Sequence, residues 1–280
     1  MARIHAFEFE DQVWFPGLIR QYMTDFLSFM GAWSKVPYAP FTERLAESLR
    51  ATGDARLVDL CSGGGGPAVI IAGDVSERLG RPLELVLTDL YPRPSRLEHA
   101  RRVLPKWVEL EERSVDLRAV PGDLTGFRLV CNGFHHLRPD QARDCLRDAV
   151  DQRRGVAVVE LAQRSPFSVA QIVFGVVWQL LITPFIKPFR WSRLVFTYAV
   201  PVVPVCTLWD GVVSCLRVYD PDELRALIAD LPQNSRDSYD WQCGRVAVPR
   251  LPAKLTYLIG VPKRASPSPE TPVRAASELD

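Results

Sequence analysis

The residue types and spacing best suited to chemistry lie in Asp59-Leu60-Cys61-Ser62-Gly63-Gly64-Gly65-Gly66-Pro67. Without a Cβ, glycine lets the backbone touch a ligand and take positive φ. Pro67 suits the first turn of a helix. Asp89 follows 24 residues after Gly65, at the end of the next apolar run, where a carboxylate reaches a ribose diol. Two ligand chemistries fit this pattern. Gly63, Gly65 and Ala68 satisfy G-x-G-x-x-A, the spacing that seats a dinucleotide pyrophosphate at a helix N-terminus. Asp59 argues the other way, because a carboxylate at the strand end repels a pyrophosphate and welcomes a cationic amino-acid group. S-adenosylmethionine has such a group and no phosphate. A tight strand-to-helix turn alone needs one or two glycines, not four.

Several other residues could act on a substrate. His135 and His136 lie just beyond a predicted strand, and imidazole has the right pKa to serve as a general base for a hydroxyl acceptor. Equally, both can simply pack beside a cofactor. Glu160 ends another predicted strand and can touch substrate or bond a backbone amide. Trp14, Phe15, Arg20, Tyr22, Trp178, Trp209 and Asp210 are candidates to line an acceptor pocket, with core packing the alternative for each.

The elements that must position these groups alternate. Leu57–Leu60, Leu83–Thr88, Val108–Arg113, Phe127–Cys131 and Gly155–Glu160 read as strands, with a helix after the glycine run and another from about Pro139 to Val150. Such alternation indicates an α/β fold with a parallel sheet covered on both faces. Asp220 caps a helix whose first position is Pro221. Tyr239–Val246 and Leu255–Val261 read as two final strands. Residues 1–50 are aromatic and helical in pattern, with an amphipathic stretch from Leu18 to Phe29. Residues 165–186 carry no ionisable side chain, and Lys187, Arg190 and Arg193 follow. The sequence thus divides into an N-terminal helical cap segment 1–50, a catalytic-type domain 51–263 with a cap insertion at 165–209, and a disordered tail 264–280. For the uncharged stretch a buried or lid helix is expected first, an interface between two copies second, and a membrane-surface helix third.

The chain has 280 residues, 47% hydrophobic and 24% charged. That excludes wholesale disorder, collagen and a polytopic membrane protein. With 34 Lys+Arg against 33 Asp+Glu, the net charge is +1, which disfavours a nucleic-acid partner. Six scattered cysteines form no CxxC pair, so neither a metal site nor a disulfide scaffold is expected. No signal-peptide pattern opens the sequence, and a cytoplasmic location with reduced thiols is expected.

Residues 55–161 resemble the class I S-adenosylmethionine-dependent methyltransferases. The resemblance rests on Leu57–Gly65, on Leu87-Thr88-Asp89-Leu90-Tyr91-Pro92, on Ser114-Val115-Asp116 and on Leu129-Val130-Cys131-Asn132-Gly133-Phe134-His135-His136-Leu137. It implies a three-layer, Rossmann-like, seven-stranded sheet, mostly parallel with an antiparallel last strand. It also implies site roles. Asp59, Cys61, Ser62, Gly63 and Gly65 would hold the methionine part of S-adenosylmethionine. Asp89, with Leu90 beside it, would bind the ribose hydroxyls. Asp116 and Leu117 would sit at the adenine, and Asn132, Gly133 and Phe134 would close over the cofactor. In one departure, Cys61 stands where the family's first loop glycine usually is. The implied activity is methyl transfer to a small, rather apolar acceptor. The rivals are a non-catalytic cofactor-binding or scaffold protein and an NAD-dependent oxidoreductase. A small-molecule substrate and a homodimer are the expected partners.

Overall fold

A computed structural model describes residues 2–34, 38–63, 65–92, 105–249 and 252–263. The expected tail at 264–280, and Gly64 within the glycine run, lie outside the described residues. In chain order the main elements are α1 (Gly17–Ser34), α2 (Ala39–Thr52), β1 (Arg56–Leu60), α3 (Gly66–Leu79), β2 (Glu84–Asp89), β3 (Val108–Ser114), β4 (Phe127–Cys131) and α4 (Pro139–Asp151). Then come β5 (Val156–Glu160), α5 (Pro166–Ile182), α6 (Val202–Arg217), α7 (Pro221–Ala229), β6 (Tyr239–Ala247) and β7 (Lys254–Pro262).

The strands form one sheet of order β3-β2-β1-β4-β5-β7-β6. β1 to β5 run parallel, with Leu57 opposite both Leu85 and Phe127. β7 enters antiparallel beside β5, and β6 closes the edge antiparallel to β7. The central strands are buried on both faces, which is why they read as continuous apolar runs. β3, at the far edge, alternates and stays largely exposed. One face packs on α2 and α3 through Phe41, Leu45, Ile71 and Val75. The other packs on α4 and α7 through Leu146, Ala149, Leu224 and Leu227. α2 therefore shares the sheet's own core rather than lying with α1.

α1 packs elsewhere. Phe15, Ile19, Tyr22 and Met23 meet Val203 and Cys206 of α6, and Phe26 meets Ile182 and Ile186 at the end of α5. The stretch before α1 is not helical; residues 2–16 form an extended strap over α6.

α5 is not a buried helix, one of the two forms expected first for this stretch. It buries its polar residues Ser168 and Gln179, with Thr183 just beyond, and leaves Val173, Phe174, Val177 and Leu181 exposed. The reason is its placement. It lies outside the three layers, and its inner face meets α6 through Gln179 and Thr207, so its apolar outer face has no covering element among the described residues.

Candidate functional site

The glycine run leaves β1 in a chain of left-handed residues: Cys61 at φ 64°, Gly63 at 52° and Gly65 at 72°. At Gly65 the backbone, at φ 72°, favours glycine, and a Cβ would lie 2.5 Å from Leu87 Cδ1, so that side chain would have to shift as well. At Gly63 a Cβ would meet nothing within 4 Å; the backbone lies open there to a ligand. Cys61 accepts a left-handed conformation that costs an L-residue about 1–2 kcal/mol. The position therefore has the backbone of the glycine that the family pattern places there.

Hydrogen bonds fix the loop to β2. Ser62 N–H donates to Thr88 O at 2.9 Å, and Thr88 Oγ1 donates to Asp59 O at 3.0 Å. Gly63 N–H donates to Asp89 Oδ2 at 3.0 Å, and Tyr91 N–H to Asp89 Oδ1 at 2.9 Å. The Asp89 carboxylate is thus aimed at the glycine loop, and Leu90 beside it is exposed.

Asp59 is buried, and its Oδ1 has no hydrogen-bond partner. Burial pushes its pKa up to about 8; a bond from Ser62 opposes this and the charge of Asp89 adds to it. Desolvation thus favours the protonated carboxyl at neutral pH in the free protein. The stability consequence has a definite sign. The unfolded chain ionises near 3.8 and the folded one near 8, so stability falls as pH rises across that window and levels above it. Asp59→Asn should melt like the wild type near pH 4. At pH 8 it should exceed it by ~1 kcal/mol or more, one pKa unit's worth, about 2–4 °C in melting temperature. Equal melting at both pH values would remove the buried carboxyl from the account.

At the end of β4, Asn132 takes φ 52°. Its Oδ1 accepts from Leu161 N–H at 2.8 Å. Gly133 lies against Cys61, whose Cβ and Sγ would be 3.3 Å from an added methyl. Asn132 and Gly133 thus border the loop. Phe134 points away into the core, its ring 5.5 Å from that of Tyr219. Asp116 is held by Arg118 through both oxygens, and Leu117 packs in the same core as Phe134.

The two histidines are placed differently. His135 is buried, and its Nδ1 lies 2.9 Å from Glu160 Oε2 while its N–H donates to Glu160 Oε1 at 3.1 Å. A carboxylate only accepts, so Nδ1 carries a proton, and in the neutral ring the lone pair lies on Nε2. Glu160 is thus spent on His135. The His136 ring lies 4.3 Å from that of His135, and its Nδ1 is 2.9 Å from both Glu8 Oε2 and Asp11 Oδ1. Burial opposes its charge, but bonds to Asp11 and Glu8 outweigh it and hold its pKa well above the ordinary value. His136 is therefore a cation and a poor base.

Glu8 and Asp11 belong to the strap, and both also meet Arg217 of α6, at 3.2 and 2.6 Å. This cluster was not foreseen, although a lone Arg217 ending an apolar helix and two carboxylates in an aromatic stretch were visible signals. Among the pocket candidates, Asp210 accepts Phe9 and Glu10 N–H at 2.7 and 3.0 Å, and Trp209 Nε1 donates to Phe7 O at 2.9 Å. Both hold the strap. Phe15 and Tyr22 are core residues of the α1–α6 contact. Arg20 reaches Gln12 O, Trp178 lies half-buried beside Phe26, and Trp14 is exposed. Two surface depressions, one at Arg153, Arg154 and Lys263 and one at Trp241 and Tyr257, lie away from the glycine loop. The loop at the carboxyl ends of the parallel strands is the ligand edge of such sheets.

No protein-family model matches the sequence, and no curated protein matches it. Among solved structures, the plantazolicin methyltransferase BpumL in complex with SAH superposes with a TM-score of 0.53 at 10% identity, covering 91% of this chain and 94% of that one. This chain shares the overall fold of that methyltransferase. A provisionally named zinc-dependent alcohol dehydrogenase from Rhodobacter sphaeroides is similar at a TM-score of 0.50 and 13% identity, over 87% of this chain and 98% of that one. At these identities the likeness concerns the fold.

Proposed function

We propose that this chain binds S-adenosylmethionine at the glycine loop and catalyses methyl transfer to a small, rather apolar acceptor. The observation that carries the reading is the unpartnered, buried Oδ1 of Asp59 beside the loop. An orphaned buried oxygen favours a donor, and an ammonium group is the donor that the cofactor's amino-acid end provides. The open backbone at Gly63 and the Asp89 carboxylate aimed at the same loop suit the rest of it. When bound, the cofactor supplies an electrophilic methyl group on a sulfonium. The chain's share is to position the acceptor and exclude water. His135, oriented by Glu160, would take the proton from an acceptor hydroxyl at Nε2.

Calorimetric titration tests this. S-adenosylhomocysteine should bind and NAD should not. Asp89→Ala should weaken binding by about 1.5–3 kcal/mol, the range for hydrogen bonds to charged groups, and should also lower the melting temperature of the unliganded protein, which loses the acceptor for Gly63 and Tyr91 N–H. The pH dependence separates the two ligand chemistries. An ammonium on Asp59 lowers its pKa and releases a proton, so affinity should rise with pH up to about 8 and then level. A phosphate ligand would show the opposite trend. Tight NAD binding without a response to S-adenosylhomocysteine overturns the proposal.

A further inference from the structure

α5 buries two of its polar residues and turns an apolar ridge outward. Ser168, Gln179 and Thr183 are buried, whereas Val173, Phe174, Val177 and Leu181 are exposed, Phe174 by 69%. By length and composition Pro166–Phe185 could cross a membrane, and only 22% of its 18-residue apolar window is buried. The exposed ridge continues past the helix through Phe185 and Phe189 to Trp191, which is 75% exposed. A contiguous apolar surface of this kind marks a contact with something other than water.

The chemistry of its edge says what covers it. Residues 165–209 contain no Asp or Glu. Lys187 is exposed and Arg190 half-buried beside Trp191, and neither has a carboxylate within ion-pair distance among the described residues. Arg193, the third cation of the block, is buried on Asp25 at 2.6 Å. An aromatic ring flanked by unpaired cations is the composition found where a protein meets lipid headgroups. A two-fold contact with a second copy would bring these cations into an interface to which the block contributes no anion.

The ends of α5 exclude a span. Arg164, just before it, is tied to Asp220 and Glu223 at 2.6 and 2.7 Å. Ile182 and Ile186, at and beyond its other end, pack on Phe26 of α1. Both ends return to the same folded body, so the helix lies along the surface. We propose that the outer face of α5, with the segment running to Trp191, docks in the plane of an anionic phospholipid bilayer. Lys187 and Arg190 would then meet the lipid phosphates. The inference rests on this face alone and not on the reading of the glycine loop.

Flotation of the full chain with vesicles tests it. The protein should rise with phosphatidylcholine–phosphatidylglycerol vesicles and stay behind with phosphatidylcholine alone. Each of Lys187→Ala and Arg190→Ala should weaken binding about fivefold, from roughly 1 kcal/mol per cation at an anionic surface. Phe174→Glu with Leu181→Glu should abolish it. Because these positions are exposed, circular dichroism and S-adenosylhomocysteine binding should be unchanged in every variant, which keeps this test separate from that of the glycine loop. Wild-type protein that fails to float overturns the proposal. So does a dimer that forms in the absence of lipid and is dissociated by Phe174→Glu, which would assign the face to a second copy.

Discussion

Arg217→Ala should cost about 3–5 kcal/mol of stability, the loss expected when one partner of a buried ion network is removed. The Arg217 side chain is 3% exposed and Glu8 only 1%. Its Nη1 meets Asp11 and Glu8, and its Nε donates to Ala6 O at 2.7 Å. Four charges balance in this cluster: Glu8 and Asp11 against His136 and Arg217. Without the guanidinium, the buried Glu8 and the part-exposed Asp11 share one imidazolium. The strap should therefore loosen first, and limited proteolysis should cut within residues 2–16 before the sheet unfolds. Arg217→Lys should be intermediate, since an ammonium restores the charge but not the fork that also serves Ala6. The pH dependence has its own sign. The folded pKa of His136 is raised, so its contribution is fully present below the unfolded value near 6.5 and is lost as pH rises through the folded value. Urea melts at neutral pH that leave Arg217→Ala within 1 kcal/mol of the wild type would show that the network contributes little.

The sheet was legible because central parallel strands are buried on both faces and read as mainly apolar runs, as Leu57–Leu60 and Val156–Glu160 do apart from Asp59 and Glu160 near their carboxyl ends. The glycine loop was legible for a different reason: Gly63 and Gly65 take positive φ, and such a demand leaves a mark in the sequence. The orientation of α5 was not. Its composition reveals that it is apolar, but whether apolar residues face inward depends on what stands beside them, and nothing described covers the outer side. The strap cluster was hidden by separation, since Glu8 and Arg217 meet across two hundred residues. The charge state of Asp59 was hidden too. The residue type promises an anion, and burial, which belongs to the fold, makes it neutral. Phe134, adjacent to two residues that do border the loop, points into the core instead, because it opens the turn Phe134–His136 on the side facing Tyr219.

His135→Gln should lower kcat by about 10²–10⁴, the usual contribution of a positioned general base, with any hydroxyl acceptor that the wild type methylates. S-adenosylhomocysteine affinity should stay within about twofold, since the loop at Gly63 and Asp89 is untouched. The argument begins with Glu160. Its two oxygens take the backbone N–H and the Nδ1 proton of His135, which fixes the ring's orientation and, in the neutral ring, places the lone pair on Nε2. Glu160→Gln removes that constraint, because an amide can donate to Nδ1 as readily as it accepts. The ring would then spend part of its time with the proton on Nε2, where it cannot serve as a base, and kcat should fall by about 10² without a matching change in KM. His136, stacked on the same ring but held as a cation by Glu8 and Asp11, predicts a different outcome: His136→Gln should weaken the strap and leave the pH profile of the remaining activity unchanged. A packing role for His135 would also lower activity, but through stability. The pH profile tells the two apart. A base produces a limb on which the rate climbs as the imidazole loses its proton, and that limb should vanish in His135→Gln and survive in His136→Gln. A limb that persists in His135→Gln would return both histidines to packing.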